Sequence, residues 1–406
     1  MKTMARALIG CSLAWAGWSA GAVRARAQQP VTRQQVVQAA LSSGPRVTLA
    51  ATDTAAARAA LLTARAFQNP TVNASYSKDV PQYHASIELP LDLPWIRSAR
   101  IRIASEARSS AESRYAFERA SARFDAEEAY TRSLGAAAHA RLSRRNALDA
   151  DSLLRMAAQR RDAGDASELD VQLATVNAGQ VANGAAGDSV DAIAALLDVQ
   201  RVMGRASDRV SIVLADTLEL PSTDTAGATG PTFQVAAAEA SARSADAALA
   251  LARRSVFAAP SLTLGFDTHD PTGAEPGLLP TFGLGLTVPL LSWNRGGIAA
   301  AAAGRDRAQA ELDVARRESD AAVAKARRDL AVAAQKVMRD RGLVASADRV
   351  AAMSLTAYAE GAIALPSVLE AQRQAREALG HLIDDLAAAS TADAAVRLFT
   401  ASEVSP

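Results

Sequence analysis

The sequence predicts a mainly α-helical fold with a small β part, built from two long helical hairpins and two short pairs of strands. The same order of segments occurs twice, with Gly164 and Gly361 at corresponding places about 197 positions apart, a period far longer than that of a solenoid repeat. In each copy, a stretch of alternating polar and apolar residues precedes a tract with almost no proline or glycine. The chain is therefore interpreted as a duplicated half-molecule.

The composition suits closely packed helices. The 406-residue chain is 49% hydrophobic but only 4% aromatic, and its formal net charge is +1. Alanine-rich helices pack closely along their length, and the balanced charge gives no reason to expect nucleic acid as a partner. Beyond the N-terminal segment, no run of about 18 apolar residues occurs, so a transmembrane helix is not expected.

Residues 1–27 are interpreted as a signal peptide. Two basic residues precede an apolar segment at 7–23, and Ala25-Arg26-Ala27 fits a cleavage site before Gln28. A lipoprotein signal is the alternative, because the residues that end at Cys11 have lipobox character. Cleavage after Ala27 would remove the only cysteine, so no disulfide or thiol chemistry is expected in the mature chain.

The first repeat is predicted at 28–205. Short helices at 34–41 and 47–67 lead to a pair of strands within about 70–91, and a helical hairpin follows over about 97–203. The hairpin reverses at Gly164, where a C-terminal glycine belongs, and its return helix begins at a capping box of Ser167 and Asp170. The strands place one set of apolar side chains on a single face: Val72, Ala74, Tyr76, Tyr83, Ala85, Ile87 and Leu89.

The second repeat is predicted at 232–406, after a linker or equatorial segment at 206–231 that is rich in Ser, Thr, Asp and Gly. Its strands lie within about 260–290, and its hairpin spans about 296–399, with Pro366 in the first turn of the return helix. Each outgoing helix would be on the order of 95 Å long. The apolar face of the second strand pair contains Leu262, Leu264, Phe266, Phe282, Leu284, Leu286 and Val288.

Two hairpins of two strands cannot close a sheet within one chain, and their apolar faces need lipid or another layer to cover them. A dimer would supply eight strands around an interior filled by side chains, whereas a trimer would supply twelve around an open lumen. The polar or glycine-containing inner face favours the trimer. Trp95 and Trp293 follow the second strand of each repeat and are predicted membrane-interface anchors, with ordinary packing at the strand-to-helix junction as the alternative.

The residues at these junctions resemble a known family. Asn69-Pro70 and Ala259-Pro260 precede the strands, the sequence Val-Pro-Leu-Leu-Ser-Trp-Asn-Arg-Gly-Gly-Ile-Ala at 288–299 enters the second long helix, and a glycine ends each outgoing helix. Their duplicated order resembles the TolC-type outer membrane efflux proteins over essentially the whole mature chain. The stretch at 289–299 is most similar to the outer membrane components of heavy-metal and drug efflux systems powered by resistance-nodulation-division pumps.

The resemblance implies a homotrimer with a twelve-stranded β-barrel in outer membrane lipid and an α-helical barrel in the periplasm, which would hold most of the chain. A periplasmic adaptor protein would dock at the tips, Gly164 and Gly361, and an inner-membrane pump of the resistance-nodulation-division type would supply energy. The chain itself would be a passive channel that exports small molecules or metal ions. The transported substrate is not indicated.

Asp170 and Glu370 are predicted candidates for an acidic ring at the periplasmic aperture of this channel. They are not at equivalent positions, because Ser367 corresponds to Asp170 in the second repeat. A solvated helix face is the alternative account of both carboxylates.

No metal, cofactor or catalytic site is predicted. The histidines lack the spacing of metal ligands, and no nucleophile elbow, phosphate loop or supported pair of carboxylates occurs, so the chain is not expected to be an enzyme. The alternative function is a periplasmic coiled-coil adaptor or scaffold without a pore. Adaptors typically carry a single helical hairpin, whereas two are predicted here. The histidines are His84, His139, His269 and His381.

Overall fold

The computed structural model describes residues 29–79, 81–205, 207–221, 230–256, 259–268, 277–286, 288–289 and 292–402. The predicted signal peptide with Cys11, most of the serine- and threonine-rich part of the linker, and His269 lie outside these residues. None of the helices in the described ranges combines the length and apolarity needed to cross a membrane.

The repeated order of segments is present in the described chain. A short parallel pair of strands, β1 (Gln29–Val31) and β4 (Ile212–Leu214), accompanies it. The elements of the first half are α1 (Arg33–Ser43), α2 (Pro45–Arg65), β2 (Thr71–Tyr76), β3 (Tyr83–Pro90), α3 (Pro94–Asp162) and α4 (Glu168–Val202). Those of the second are α5 (Phe233–Arg254), β5 (Ser261–Thr268), β6 (Leu279–Gly285), α6 (Arg295–Ala359) and α7 (Leu365–Thr400).

The two strand pairs form one four-stranded antiparallel sheet in the order β2-β3-β5-β6. The register joins the repeats through β3 and β5, from Tyr83 opposite Thr268 to Pro90 opposite Ser261. Neither β2 nor β6 has a second neighbouring strand among the described residues. The sheet is therefore open at both edges.

Each face of the sheet has a distinct character. A row of Val72, Ile87, Leu264 and Phe282 crosses one face, whereas the row one residue further along the strands is Thr71, Glu88, Thr263 and Gly283 on the other. The apolar row is not covered, since Val72 is 74% exposed and Phe282 78% exposed. The predicted division into an apolar and a polar or glycine-containing face is confirmed.

The longest helices organise the rest of the chain. The 69-residue α3 spans roughly 100 Å at about 1.5 Å per residue. Its first half packs against α2 and α5, and its second half packs against α4 and α7. The second outgoing helix, α6, contacts both α5 and α7, so the helices form a continuous wall.

Four elements differ from the sequence-based expectations, the first being strand β1, which was not predicted. Helix α5, which corresponds to α2, was not predicted, and the segment expected to be a linker contains β4. Strand β6 ends at Gly285, although the alternation was predicted to continue to Val288. The reason is the length of its partner: β5 begins at Ser261, which lies opposite Gly285, so Leu286 has no residue on β5 to pair with.

The equatorial core lies where β1, β4 and α1 pack against the middle of α3. Tyr130 is fully buried there, and its hydroxyl donates to the Val31 carbonyl (2.9 Å) and accepts from the Asp216 amide (3.3 Å). Burial raises the pKa of Tyr130 to about 12, so the hydroxyl stays protonated and remains a donor. The side chain thus joins α3 to β1 and to the segment that follows β4.

A buried carboxylate connects the two repeats beside this core. Glu127 of α3 bonds Arg123 one turn earlier (2.9 Å) and Arg397 near the end of α7 (2.5 Å), and Arg397 also pairs with Asp393. Burial opposes the ionisation of Glu127, but hydrogen bonds from Arg123 and Arg397 outweigh it and lower the pKa of this carboxyl. The carboxylate therefore holds the two repeats together in its charged form.

We expect Glu127→Gln to lower the free energy of unfolding by about 2 kcal/mol at neutral pH, because it removes the charge of the buried carboxylate that bonds Arg123 and Arg397. The folded-state pKa of Glu127 is lowered, so its contribution is present above the ordinary carboxyl pKa and is lost as the pH falls through the lowered value. Urea unfolding at a series of pH values should therefore show that the difference in the free energy of unfolding between wild type and variant decreases as the pH is lowered.

Glu128→Gln is the matched control. Glu128 pairs with Arg132 at the surface (3.0 Å), and such a pair contributes less than about 1 kcal/mol. Equal losses in the two variants would contradict the assigned role of Glu127.

Candidate functional site

The ends of the helical hairpins have the geometry predicted for their glycines. The first tip comprises residues 163–167 and the second tip residues 360–364. Gly164 has φ 85° and Gly361 has φ 78°, in the left-handed region that side chains disfavour. The Gly164 amide donates to the Arg161 carbonyl (2.9 Å), and the next amide donates to the Arg160 carbonyl (2.7 Å). The second tip repeats this pattern, the Schellman motif, so both glycines are confirmed as helix C-terminal caps.

A contact between Arg160 and Tyr358 joins the two hairpins near these tips. The guanidinium carbon lies 4.6 Å from the centroid of the Tyr358 ring, and the Arg160 side chain donates to the Tyr358 carbonyl and to the Asp165 carbonyl (3.3 Å). Tyr358 is only 3% exposed. One arginine thus binds the last turn of α6 and the loop of its own hairpin.

Apolar side chains from all four helices surround this contact. We call them, with Tyr358, the tip cluster; the others are Leu153, Ala157, Val171, Ala174, Leu365 and Val368. Burial raises the pKa of Tyr358, an effect that the nearby Arg160 opposes, so its hydroxyl stays neutral. That hydroxyl has no hydrogen-bond partner among the described residues. The ring is therefore held by packing and by Arg160.

No role was predicted for Arg160 or Tyr358. A signal was present, since Arg160 precedes Gly164 by one helical turn and Tyr358 precedes Gly361 by a little less than one. An aromatic and a basic residue thus occupy corresponding turns of the two repeats. Their contact depends on tertiary packing between distant segments, which no local pattern records.

Asp170 acts as a helix cap. Its carboxylate accepts from the Ser167 amide (3.0 Å) and the Ser167 hydroxyl (2.9 Å), and its own amide donates to that hydroxyl (3.2 Å). The predicted capping box is confirmed. The carboxylate caps the first turn of its own helix, and this role alone explains why an acidic residue occurs at position 170.

Glu370 is exposed on α7 and belongs to a local ionic group. Arg373 bonds it at 2.6 Å and bonds Glu377 as well, and Gln374 donates to it at 2.8 Å. Hydrogen bonds from Arg373, and then from Gln374, lower the pKa of Glu370 to about 2. No hydrogen bond or ion pair joins Glu370 to Asp170 in the described chain, and a shared aperture ring stays a prediction.

Trp95 and Trp293 lie at the two strand-to-helix junctions, Trp95 in the first turn of α3 and Trp293 just before α6. Their rings are 52% and 54% exposed, so neither is a buried packing residue of this chain. An interfacial anchor requires such exposure. Their role at a membrane surface stays a prediction.

The two junctions are fixed by different side chains. Arg100 bonds the buried carboxylate of Asp92 (2.7 Å) and donates to carbonyls at the end of α2. At the second junction, Asn294 adopts φ 55°, and its side-chain amide nitrogen donates to the Ala252 carbonyl at the end of α5 (2.9 Å). Both arrangements satisfy carbonyls at a helix C-terminus and fix the direction of the long helix.

His84 lies on the polar face of the sheet and connects strands of the two repeats. Its Nδ1 lies 2.8 Å from Asp267 Oδ1, and its Nε2 lies 3.3 Å from the Ser77 hydroxyl oxygen. That hydroxyl makes its shorter contact with the Asp79 carbonyl (2.7 Å), to which it donates, so it is not directed at the imidazole as a nucleophile would be. No group of three or more potential metal ligands occurs among the described residues.

The comparison with solved structures decides the fold. The chain is similar to a membrane protein from Pseudomonas aeruginosa (20% identity, TM-score 0.78, covering 91% of this chain and 93% of that one). It is also similar to the CmeC outer membrane channel of Campylobacter jejuni (15%, 0.77, 91% and 85%) and to the outer membrane protein VceC of Vibrio cholerae (15%, 0.76, 91% and 95%). The fold is that of a TolC-like outer membrane channel.

The predicted fold class is thereby confirmed. No protein-family model and no curated protein matches the chain. The likeness therefore lies in the arrangement of the helices and strands, with low sequence identity throughout.

We expect the Tyr358 ring, and not its hydroxyl, to hold the tips together. Tyr358→Phe should leave the free energy of unfolding unchanged or raise it by about 1 kcal/mol, because the buried hydroxyl that it removes has no partner. Tyr358→Ala should lower the free energy of unfolding by about 3–5 kcal/mol, because the variant has a cavity in the tip cluster and lacks the ring that Arg160 contacts. Urea unfolding of the purified variants measures both; a loss in the Phe variant as large as in the Ala variant would disprove this assignment.

Proposed function

We propose that this chain is the outer membrane channel of a tripartite efflux system, acting as a passive homotrimeric duct without enzymatic activity. The observation that carries the proposal is the unfinished sheet. Its two free edges and uncovered apolar face adjoin two helical hairpins on the order of 100 Å long. The function of an adaptor or a scaffold does not require a sheet with free edges and an uncovered apolar face.

Three copies of the sheet supply the twelve strands of a barrel. Lipid would cover the row of Val72, Ile87, Leu264 and Phe282, and the opposite face would line the lumen. The strands are packed too closely at Gly265 for a side chain. A Cβ there would lie 2.8 Å from the Ala85 carbonyl oxygen and 3.1 Å from Thr281 Oγ1. A larger residue there would displace the neighbouring strands.

The helical wall also has two unfinished sides. Helices α4 and α6 both carry exposed apolar residues along their length, and a head-to-tail contact between α4 of one copy and α6 of the next closes a ring. On α4 these residues are Leu169, Leu173, Val176, Val190 and Ile193. On α6 they are Val314, Val332, Met338, Leu343, Val350 and Met353.

In this assembly, most of the chain projects into the periplasm and Trp95 and Trp293 contact the membrane interface. The tips at Gly164 and Gly361 meet a periplasmic adaptor protein, and Asp170 and Glu370 lie close to the periplasmic aperture. An inner-membrane pump of the resistance-nodulation-division type supplies the energy. The sequence at 289–299 supports the heavy-metal and drug subtype, with small molecules or metal ions as the cargo.

A pair of variants tests the barrel. Phe282→Arg places a charge on the lipid face, at a cost of about 2–4 kcal/mol near the bilayer midplane, and should abolish heat-modifiable trimers in outer membrane fractions. Thr281→Arg places the same charge on the opposite face and should assemble normally, with lower cation conductance in planar bilayers. Equal assembly of the two variants, or wild-type protein without discrete channel openings, would refute the duct.

A cysteine crosslink tests the partner at the tips. Ala362→Cys lies in the second tip, is exposed, and avoids the left-handed position of Gly361. After membrane crosslinking, we expect it to capture one periplasmic protein that carries a long helical hairpin. Ala310→Cys, exposed near the opposite end of α6, is the control and should not capture this protein. Equal capture at both positions would argue against docking at the tips.

A further inference from the structure

A cavity of about 650 Å³ lies between the two hairpins, beside the tip cluster. Residues of α3, α6 and α7 line it. Its apolar wall contains Leu142, Leu153, Met156, Leu355 and Leu379. Both the volume and the mixture of apolar and polar lining residues suit a small organic ligand.

Arg376 of α7 enters this cavity without a partner. It is half-buried, and it forms no hydrogen bond or ion pair among the described residues. Burial lowers the pKa of Arg376; the carboxylate of Glu377 opposes this shift, Arg373 adds to it, and the carboxylate of Asp149 also opposes it. The next arginine along the helix shows the contrast, because Arg373 faces solvent and pairs with both Glu370 and Glu377.

Two further polar groups of the cavity lack partners. The side-chain oxygen of Gln372, one helical turn before Arg376, is buried and accepts no hydrogen bond. Arg145, on the α3 side, forms no hydrogen bond or ion pair in the described chain. Half-burying the Arg376 guanidinium without a partner costs free energy, which hydrogen bonds to an anionic ligand would offset. Arg145 is exposed and supplies a second cationic donor, whereas the Gln372 oxygen is an acceptor and does not bind the anion.

The charges of the cavity define the ligand further. Two guanidinium groups favour a carboxylate, which accepts paired hydrogen bonds from arginine. Asp149 and Asp348 also line the cavity and are exposed at its rim, so they oppose a second negative charge. A single anionic head with an apolar body therefore fits better than a phosphate or a dianion.

We propose that this cavity binds a small amphipathic monoanion, with Arg376 and Arg145 on its carboxylate and the apolar wall around its alkyl chain. The ligand would contact α3 of the first repeat together with α6 and α7 of the second. The site lies within one chain, so it depends neither on the duct function nor on the transported solute.

Octanoate titrated calorimetrically into the full-length protein in nanodiscs tests the proposal, with empty nanodiscs as the blank. We expect saturable binding, and affinity about tenfold or more lower for octanamide, which keeps the chain but lacks the charge. Arg376→Gln should weaken octanoate binding by a similar factor. Asp149→Asn should strengthen it, because it removes a repelling carboxylate.

Arg144→Gln is the matched control, since Arg144 is exposed and does not line the cavity, and it should bind octanoate as the wild type does. Arg376→Lys retains the charge but lacks the planar guanidinium, so its affinity for octanoate should be intermediate. This variant tests the proposal if Arg376→Gln fails to fold. Equal affinity for octanoate and octanamide, or unchanged binding in both Arg376 variants, would overturn the proposal.

Discussion

The pairing of β3 with β5 is the interaction on which the rest of the structure depends. It converts two separate two-stranded ribbons, which are marginal in water, into one four-stranded sheet. It also places the start of α3 beside the end of α5, which contacts α6 in turn. Because the same pairing aligns the apolar rows of both repeats on one face, it creates the uncovered surface and free edges that a single chain cannot satisfy.

The two halves of the chain share an order of elements but differ at individual positions. The first return helix begins with the capping box of Ser167 and Asp170, whereas the second begins at Ala364 without a side-chain cap and has proline in its first turn. The contact between the hairpins takes its arginine from the first repeat and its aromatic ring from the second. The halves therefore share an architecture and contact each other through positions at which they differ.

Local features were predictable from the sequence, and tertiary ones were not. The C-terminal glycines and the capping box follow from chemistry within a few residues, so their geometry agrees with expectation. Helix α5 was missed because no side chain caps its start at Thr232 and it adjoins the polar linker. Strands β1 and β4 have three residues each, too few to show alternation. The fold was accessible because its order of segments repeats, whereas the pairing of Arg160 with Tyr358 required packing between distant helices.

The connections between the hairpins also differ along their length. At the equator, the buried carboxylate of Glu127 pairs with the partly exposed Arg397, and hydrogen bonds to such a charged group contribute about 1.5–3 kcal/mol. At the tips, Tyr358 and the surrounding apolar side chains form a second firm contact. Between them lie a partly exposed hydrogen bond from His139 to Asp384 (2.8 Å), of the kind worth about 1 kcal/mol or less, and the cavity with its unpaired arginines. The hairpins are therefore held firmly at both ends and weakly in the middle, so separation is easiest where an anionic ligand would bridge them.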